Sequence, residues 1–150
     1  MSDDRLCNLA RWRNWPAMHA LLAASSDEVK EQLLTHRDEY DGRSAIHGCA
    51  YYGAPAETVH ALLQAGPRGY VNVKHNIGGT PAMAAAWNCH PAVLRQLIDD
   101  GADLNIRAND GGTALSLAIT KNRLCERGTD NLECINILNV SASSFWNRVR

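Results

Sequence analysis

Large aromatic side chains are scarce in this chain of 150 residues, which holds one Phe, four Trp and four Tyr. That shortage disfavours a sandwich built on aromatic layers and suits closely packed helices with an Ala and Leu core. An excess of one charge is also missing. Fifteen Lys+Arg face sixteen Asp+Glu, for a net charge of −1. A protein that grips a phosphate backbone normally carries a basic surplus, so no nucleic-acid partner is expected. No apolar run approaches the ~20 residues that cross a bilayer, so no direct membrane insertion is expected. The opening MSDDRLCNLARWRNW lacks the apolar stretch of a secretory signal. The five cysteines, Cys7, Cys49, Cys89, Cys125 and Cys134, are odd in number and show no CxxC spacing. They make no disulfide framework and point to an intracellular, reducing compartment. The cytoplasm is expected; the arginines at 5, 11 and 13 would suit an organelle address, but Asp3 and Asp4 oppose it.

What is present is repetition. Asp41-Gly42-Arg43-Ser44-Ala45-Ile46-His47, Gly78-Gly79-Thr80-Pro81-Ala82-Met83 and Gly111-Gly112-Thr113-Ala114-Leu115 align, and Ser44, Thr80 and Thr113 stand 36 and 33 residues apart. Each begins with a Gly turn and a hydroxyl residue able to cap a helix. A short Ala-rich helix follows, then a break at Gly53-Ala54-Pro55 or Asn88-Cys89-His90-Pro91. The Pro suits the first turn of a second helix, whose apolar residues recur at helical spacing: Val59, Leu62 and Leu63, then Val93, Leu94, Leu97 and Ile98. Gly66 and Gly101 are placed to stop those helices. Short extended pieces, residues 70–73 and 102–106, lead to the next turn.

This unit resembles the ankyrin repeat. Residues 78–105 follow the family pattern closely, from Gly78-Gly79-Thr80-Pro81 to Gly101-Ala102-Asp103-Leu104-Asn105. The resemblance implies an all-α solenoid of stacked helix-turn-helix units with short β-hairpin-like loops. About four repeats cover residues 14–140, at roughly 14–38, 39–74, 75–107 and 108–140, with an N-terminal extension over 1–13 and a tail or cap over 141–150. In the first unit Trp15 to Leu22 would supply the first helix and residues 29–34 the second. The last unit inserts residues 123–130 before its second helix. One helix pair cannot bury its apolar face alone, and stacking makes a continuous core.

No residues assemble into catalytic chemistry. His47 and Cys49, two apart on a helix, point in different directions. The family assigns His47 a hydrogen-bonding role around the turn between repeats. Cys89-His90 reads as a polar loop residue beside a half-buried thiol, and Cys49 as a small core residue. Cys125 and Cys134 flank the insertion and could approach one another. The glycines at 78 and 79 match no GKS/T or GxGxxG phosphate loop. No cofactor or metal is expected.

A binding role has residues to carry it. Ankyrin stacks bind proteins, and the resemblance implies a concave face made of hairpin tips and first helices. Residue by residue, that face takes Tyr40, Arg43, Tyr51 and Tyr52; then His75, Asn76, Ile77, Trp87 and Asn88; then Arg107, Asn109, Asp110, Thr120 and Lys121. Trp, Tyr and Arg are the residue types enriched at interface hot spots. The aromatics could also pack on neighbouring loops. In the tail, Phe145 and Trp146 with Arg148 form either a cap on the last unit or an anchor for another subunit. The expected function is a non-catalytic interaction module, a scaffold, adaptor or small accessory subunit of a larger assembly. The alternative is an inhibitor that occludes a target enzyme.

Overall fold

The computed structural model of the protein describes residues 4–124 and 129–148, and side chains among them except those of residues 129 and 144–148. The helices in chain order are α1 (Arg5–Arg11), α2 (Trp15–Ala24), α3 (Asp27–Thr35), α4 (Ala45–Tyr52), α5 (Ala56–Ala65), α6 (Pro81–Trp87), α7 (Pro91–Asp99), α8 (Ala114–Leu124) and α9 (Thr129–Arg148). They form two layers. In the first, α1 packs on α4, α4 on α6 and α6 on α8. In the second, α2 and α3 pack on α5, α5 on α7 and α7 on α9. No strand forms among the described residues.

The repeated capping residues start these helices. Thr80 Oγ1 accepts from the Met83 amide at 3.4 Å, and Thr113 and Ser116 cap one another through Ser116 N at 3.3 Å and Ser116 Oγ at 2.8 Å. At Ser44 the amide donates to His47 Nδ1 at 3.3 Å instead. Each early first helix ends on a left-handed residue: Arg13 at φ 53°, Gly53 at 73° and Cys89 at 60°. Each is followed within three residues by a proline, Pro16, Pro55 or Pro91, at the entry of the second helix.

Small residues let the first layer close up. Ala82, Ala85 and Ala86 of α6 are buried between Ala45, Ile46 and Ala50 of α4 and Ala114 and Ala118 of α8. At Gly48 an added Cβ would lie 2.8 Å from Ala10 Cβ, so α1 and α4 touch there almost backbone to backbone. Larger side chains fill the space between layers, among them Leu6, Met18, Leu33, Leu34, Leu62, Leu94 and Leu97, all fully buried. Each such Leu contributes roughly 1.5–3 kcal/mol on burial. Polar contacts cross the second layer: His19 Nε2 to Thr58 Oγ1 at 2.9 Å, His60 Nδ1 to Asp100 Oδ1 at 3.2 Å and to Gln96 at 3.4 Å, and Arg95 to Glu133 at 2.6 Å.

Four features differ from the sequence expectations. The first unit's leading helix is Arg5–Arg11, inside the segment expected to be an extension, and Trp15–Ala24 lies in the second layer. Helix α3 is then an additional element. Residues 70–72 form a 3-10 turn rather than an extended piece, and both Tyr70 and Val71 are buried. Gly66 stops α5 in an extended conformation, φ −82° and ψ 165°, where a Cβ would sit 2.6 Å from Tyr70 Cδ1. Finally, α9 runs 20 residues, so residues 141–148 continue it. The expected tail contacts of Phe145 and Trp146, and the suggested approach of Cys125 to Cys134, lie outside the described residues.

Candidate partner-binding face

Three loops carry the exposed tips. Each is closed by a backbone bond, Asp38 N to Arg43 O at 2.9 Å, His75 N to Gly79 O at 3.0 Å and Ala108 N to Gly112 O at 2.9 Å. Successive loops are then joined tip to tip: Asn76 N donates to Asp41 O at 2.9 Å, Asn109 N to Ile77 O at 3.0 Å, and Asn109 Nδ2 to Asn76 O at 3.3 Å. Gly42 and Gly78, at φ 70° and 80°, lie directly under the side chains of Asn76 and Asn109. A basic ladder backs this edge. Arg37 donates to the carbonyls of Gly42 and Lys74, Lys74 Nζ to Arg107 O at 3.4 Å, and Arg107 Nη1 to Gly111 O at 3.0 Å.

His47 pins the loop behind the tips. Its Nε2 lies 3.1 Å from the Gly79 carbonyl. A carbonyl only accepts, so Nε2 carries the proton and Nδ1 accepts from Ser44. Burial pulls the His47 pKa down to about 3, with the neighbouring His75 and arginines adding to the shift after the Gly79 bond opposes it. The His75 ring stands edge-on to it, centroids 5.3 Å apart.

The site residues expected from the sequence separate into groups. Tyr40, Arg43 and Tyr52 line one groove of about 270 Å³ together with Arg11, Asp41 and Gly48. Arg43 Nε bonds Asp41 at 2.8 Å, and its guanidinium lies 4.9 Å from the Tyr51 ring. The Tyr51 and Tyr52 rings meet edge to face at 5.0 Å, and the Arg13 guanidinium is 5.9 Å from Tyr52. One unit on, Lys121 Nζ lies 5.1 Å from the Trp87 ring. Tyr40 and Ile77 project from adjacent tips, 88% and 68% exposed. His75, Asn88, Arg107 and Asn109 instead spend side-chain polar atoms on the backbone; Asn88 Nδ2, for instance, holds Ala84 O at 2.9 Å. Sequence reasoning missed Arg13, Arg37 and Lys74. Arg37 and Lys74 could have been found from Arg107, since all three occupy the same place in successive units.

The remaining candidates for chemistry do not converge. His90 Nε2 binds the Tyr51 carbonyl at 3.0 Å, and Cys89 Sγ donates to Asn131 Oδ1 at 3.1 Å. Burial, then Asp38, pushes the Cys7 thiol in the groove up to about 12, which keeps it from acting as a thiolate near neutral pH. Among the described residues no three His, Cys, Asp or Glu side chains are grouped as metal ligands.

A family model described as ankyrin repeats (3 copies) matches residues 46–139, more than half of the chain. The chain belongs to the ankyrin repeat family. The matched span starts in α4, so α1, α2 and α3 lie ahead of it, although α1 stacks on α4 as the later first helices stack on one another. Ankyrin repeats are protein–protein interaction modules and typically non-catalytic. Among the described residues no helix is long and apolar enough to cross a membrane.

Proposed function

We propose that this ankyrin repeat chain is a non-catalytic interaction subunit, a scaffold, adaptor or accessory component of a protein assembly. Its partner docks in the groove between the loop tips and the first-helix layer. The observation that carries this reading is the run of aromatic–cation pairs along that layer, Arg13 with Tyr52, Arg43 with Tyr51 and Lys121 with Trp87. Each pair is worth about 0.5–1 kcal/mol when exposed and more once a partner removes the water. Tyr40 and Ile77 add apolar surface at the rim. Rigid aromatic anchors beside cations are the side chains from which interface hot spots are built.

The test is a double variant, Tyr52→Ala with Trp87→Ala. Both rings are only half-buried, so the domain stays folded, as circular dichroism and thermal melting would report. Affinity for the bound protein falls at least about thirty-fold, ~2 kcal/mol. A folded double variant with unchanged affinity would reject the groove as the docking face.

A further inference from the structure

The near balance of charge in this chain hides a separation between the two helical layers. The first-layer helices α1, α4, α6 and α8 contain four cations, Arg5, Arg11, Lys121 and Arg123, and no Asp or Glu. The second-layer helices α2, α3, α5, α7 and α9 contain seven Asp or Glu, from Asp27 to Glu133, and three cations, Lys30, Arg95 and Arg148. Helix polarity alone does not sort the charges this way. An acid in the first turn of a helix contributes about 0.3–1 kcal/mol by facing the positive end of the helix dipole. In the second layer, α3, α5 and α9 carry one there. None of the four first-layer helices does.

The first-layer cations are also available to a partner. Arg13, just past the end of α1, and Lys121 lie over the rings of Tyr52 and Trp87. Among the described residues neither they nor Arg11 lies within ion-pair distance of a carboxylate, and Arg11 and Arg13 are exposed. In the second layer, Lys30 and Arg95 are each paired with an acid, Asp27 at 3.3 Å and Glu133 at 2.6 Å.

We propose that the docking face takes an acidic segment of a protein partner. Its carboxylates meet Arg11, Arg13 and Lys121, and its apolar side chains lie on the rings of Tyr51, Tyr52 and Trp87. This rests on the docking face proposed above and adds the chemistry of its occupant. From α1 to α8 the layer spans three helix-to-helix steps, roughly 24–30 Å at about 8–10 Å each. About eight or nine extended residues cross that span at ~3.3 Å per residue. A nucleic-acid strand suits the face less well. Asp41 pairs with Arg43 at 2.8 Å inside the groove, and Glu39 and Asp110 are exposed at the tips. A phosphate at every nucleotide would meet these acids, whereas a peptide can set neutral residues against them.

The experiment is amide-resolved magnetic resonance on isotope-labelled full-length protein, titrated with a soluble peptide of interspersed Glu and Leu. Two comparators are the same peptide with Gln for every Glu, and an oligothymidylate of matched charge. Saturable shifts are expected at residues 11–13, 51–52, 87 and 121, with binding of the Gln peptide at least about tenfold weaker. Raising salt from about 50 to about 300 mM weakens the Glu peptide several-fold. Arg11→Gln with Lys121→Gln weakens it at least about fivefold, while Lys30→Gln with Arg95→Gln in the second layer leaves it unchanged. Equal affinity for the Glu and Gln peptides, shifts confined to the second layer, no saturation up to about 1 mM, or tighter binding of the oligothymidylate would each overturn the proposal. Against the native partner the two readings separate. Lost affinity in Tyr52→Ala, Trp87→Ala but not in Arg11→Gln, Lys121→Gln would keep the docking face and reject its acidic occupant. Unchanged affinity in both would reject the face itself.

Discussion

At the scale of single residues, His47 joins two successive units through one buried ring. It is fully buried, bonds the Gly79 carbonyl of the next unit and accepts from Ser44 at the start of its own helix. Its role was legible from the sequence because the family pattern places a histidine there. The folded-state pKa, about 3, lies below the ordinary 6.5. The unfolded chain therefore takes up a proton first as pH falls. The stability that the neutral ring contributes is complete above about pH 6.5 and drains away from there towards pH 3. The slope reaches about 1.4 kcal/mol per pH unit. His75 is shifted the same way, by burial first and then by the Arg43 charge. Urea melts of wild type should weaken steeply between about pH 6.5 and pH 4. His47→Leu should cost about 2–3 kcal/mol at neutral pH, because the buried Gly79 carbonyl loses its donor and the Ser44 amide its acceptor, and should flatten the acid slope. An equally steep slope in the variant would assign the acid sensitivity elsewhere.

At the scale of elements, the sequence was most readable where the turn, cap and proline recur together. Helices α4 to α7 start at the capping residues and prolines that their spacing suggested. The first unit was harder to read because α1 has only seven residues and no glycine turn ahead of it. Its Asp4 cap makes no side-chain bond, and Arg13 stands where a later unit has Gly53. The usable signal was the proline register, Pro16 with Pro55 and Pro91, which places α2 as a second helix. The 3-10 turn at residues 70–72 was hidden for another reason. Its alternation suits an extended strand, but packing of Tyr70 on Gly66 and the left-handed Gly69 fix a tight turn. Placing α1 in the stack has a measurable consequence. Leu6 is fully buried, so Leu6→Ala should destabilise by ~2–5 kcal/mol. A residue in a peripheral extension would change stability by less than about 0.5 kcal/mol. Gly48→Val should likewise destabilise by ~1–3 kcal/mol, since the added side chain pushes into Ala10. Thermal or urea unfolding of both variants checks these values.

At the scale of the whole molecule, each unit buries its apolar face only against its neighbours, so the stack presents one long edge of linked loop tips. Hydrogen bonds between successive tips and the Arg37, Lys74 and Arg107 ladder hold that edge in register. A rigid edge is what a docking face requires, because little ordering entropy is then lost on binding. Among the aromatics on the proposed face, Tyr51 and Trp87 occupy equivalent places at the ends of α4 and α6, an alignment the repeat spacing already gives. Their cations were only partly legible. Arg43 and Lys121 share a unit or a neighbouring position with them, but Arg13 reaches Tyr52 from the end of α1, whose place in the stack required the fold.

The most direct measurement of this account is the size and composition of the native complex. Tagged wild type and the folded Tyr52→Ala, Trp87→Ala variant would be recovered from source cells under mild reducing conditions and compared by gel filtration with mass spectrometry. Wild type is expected to elute well above its own 16.4 kDa with companions in fixed ratio, and the variant to lose them. Retention of the same companions by the folded variant, or elution of wild type alone at 16.4 kDa, would contradict it.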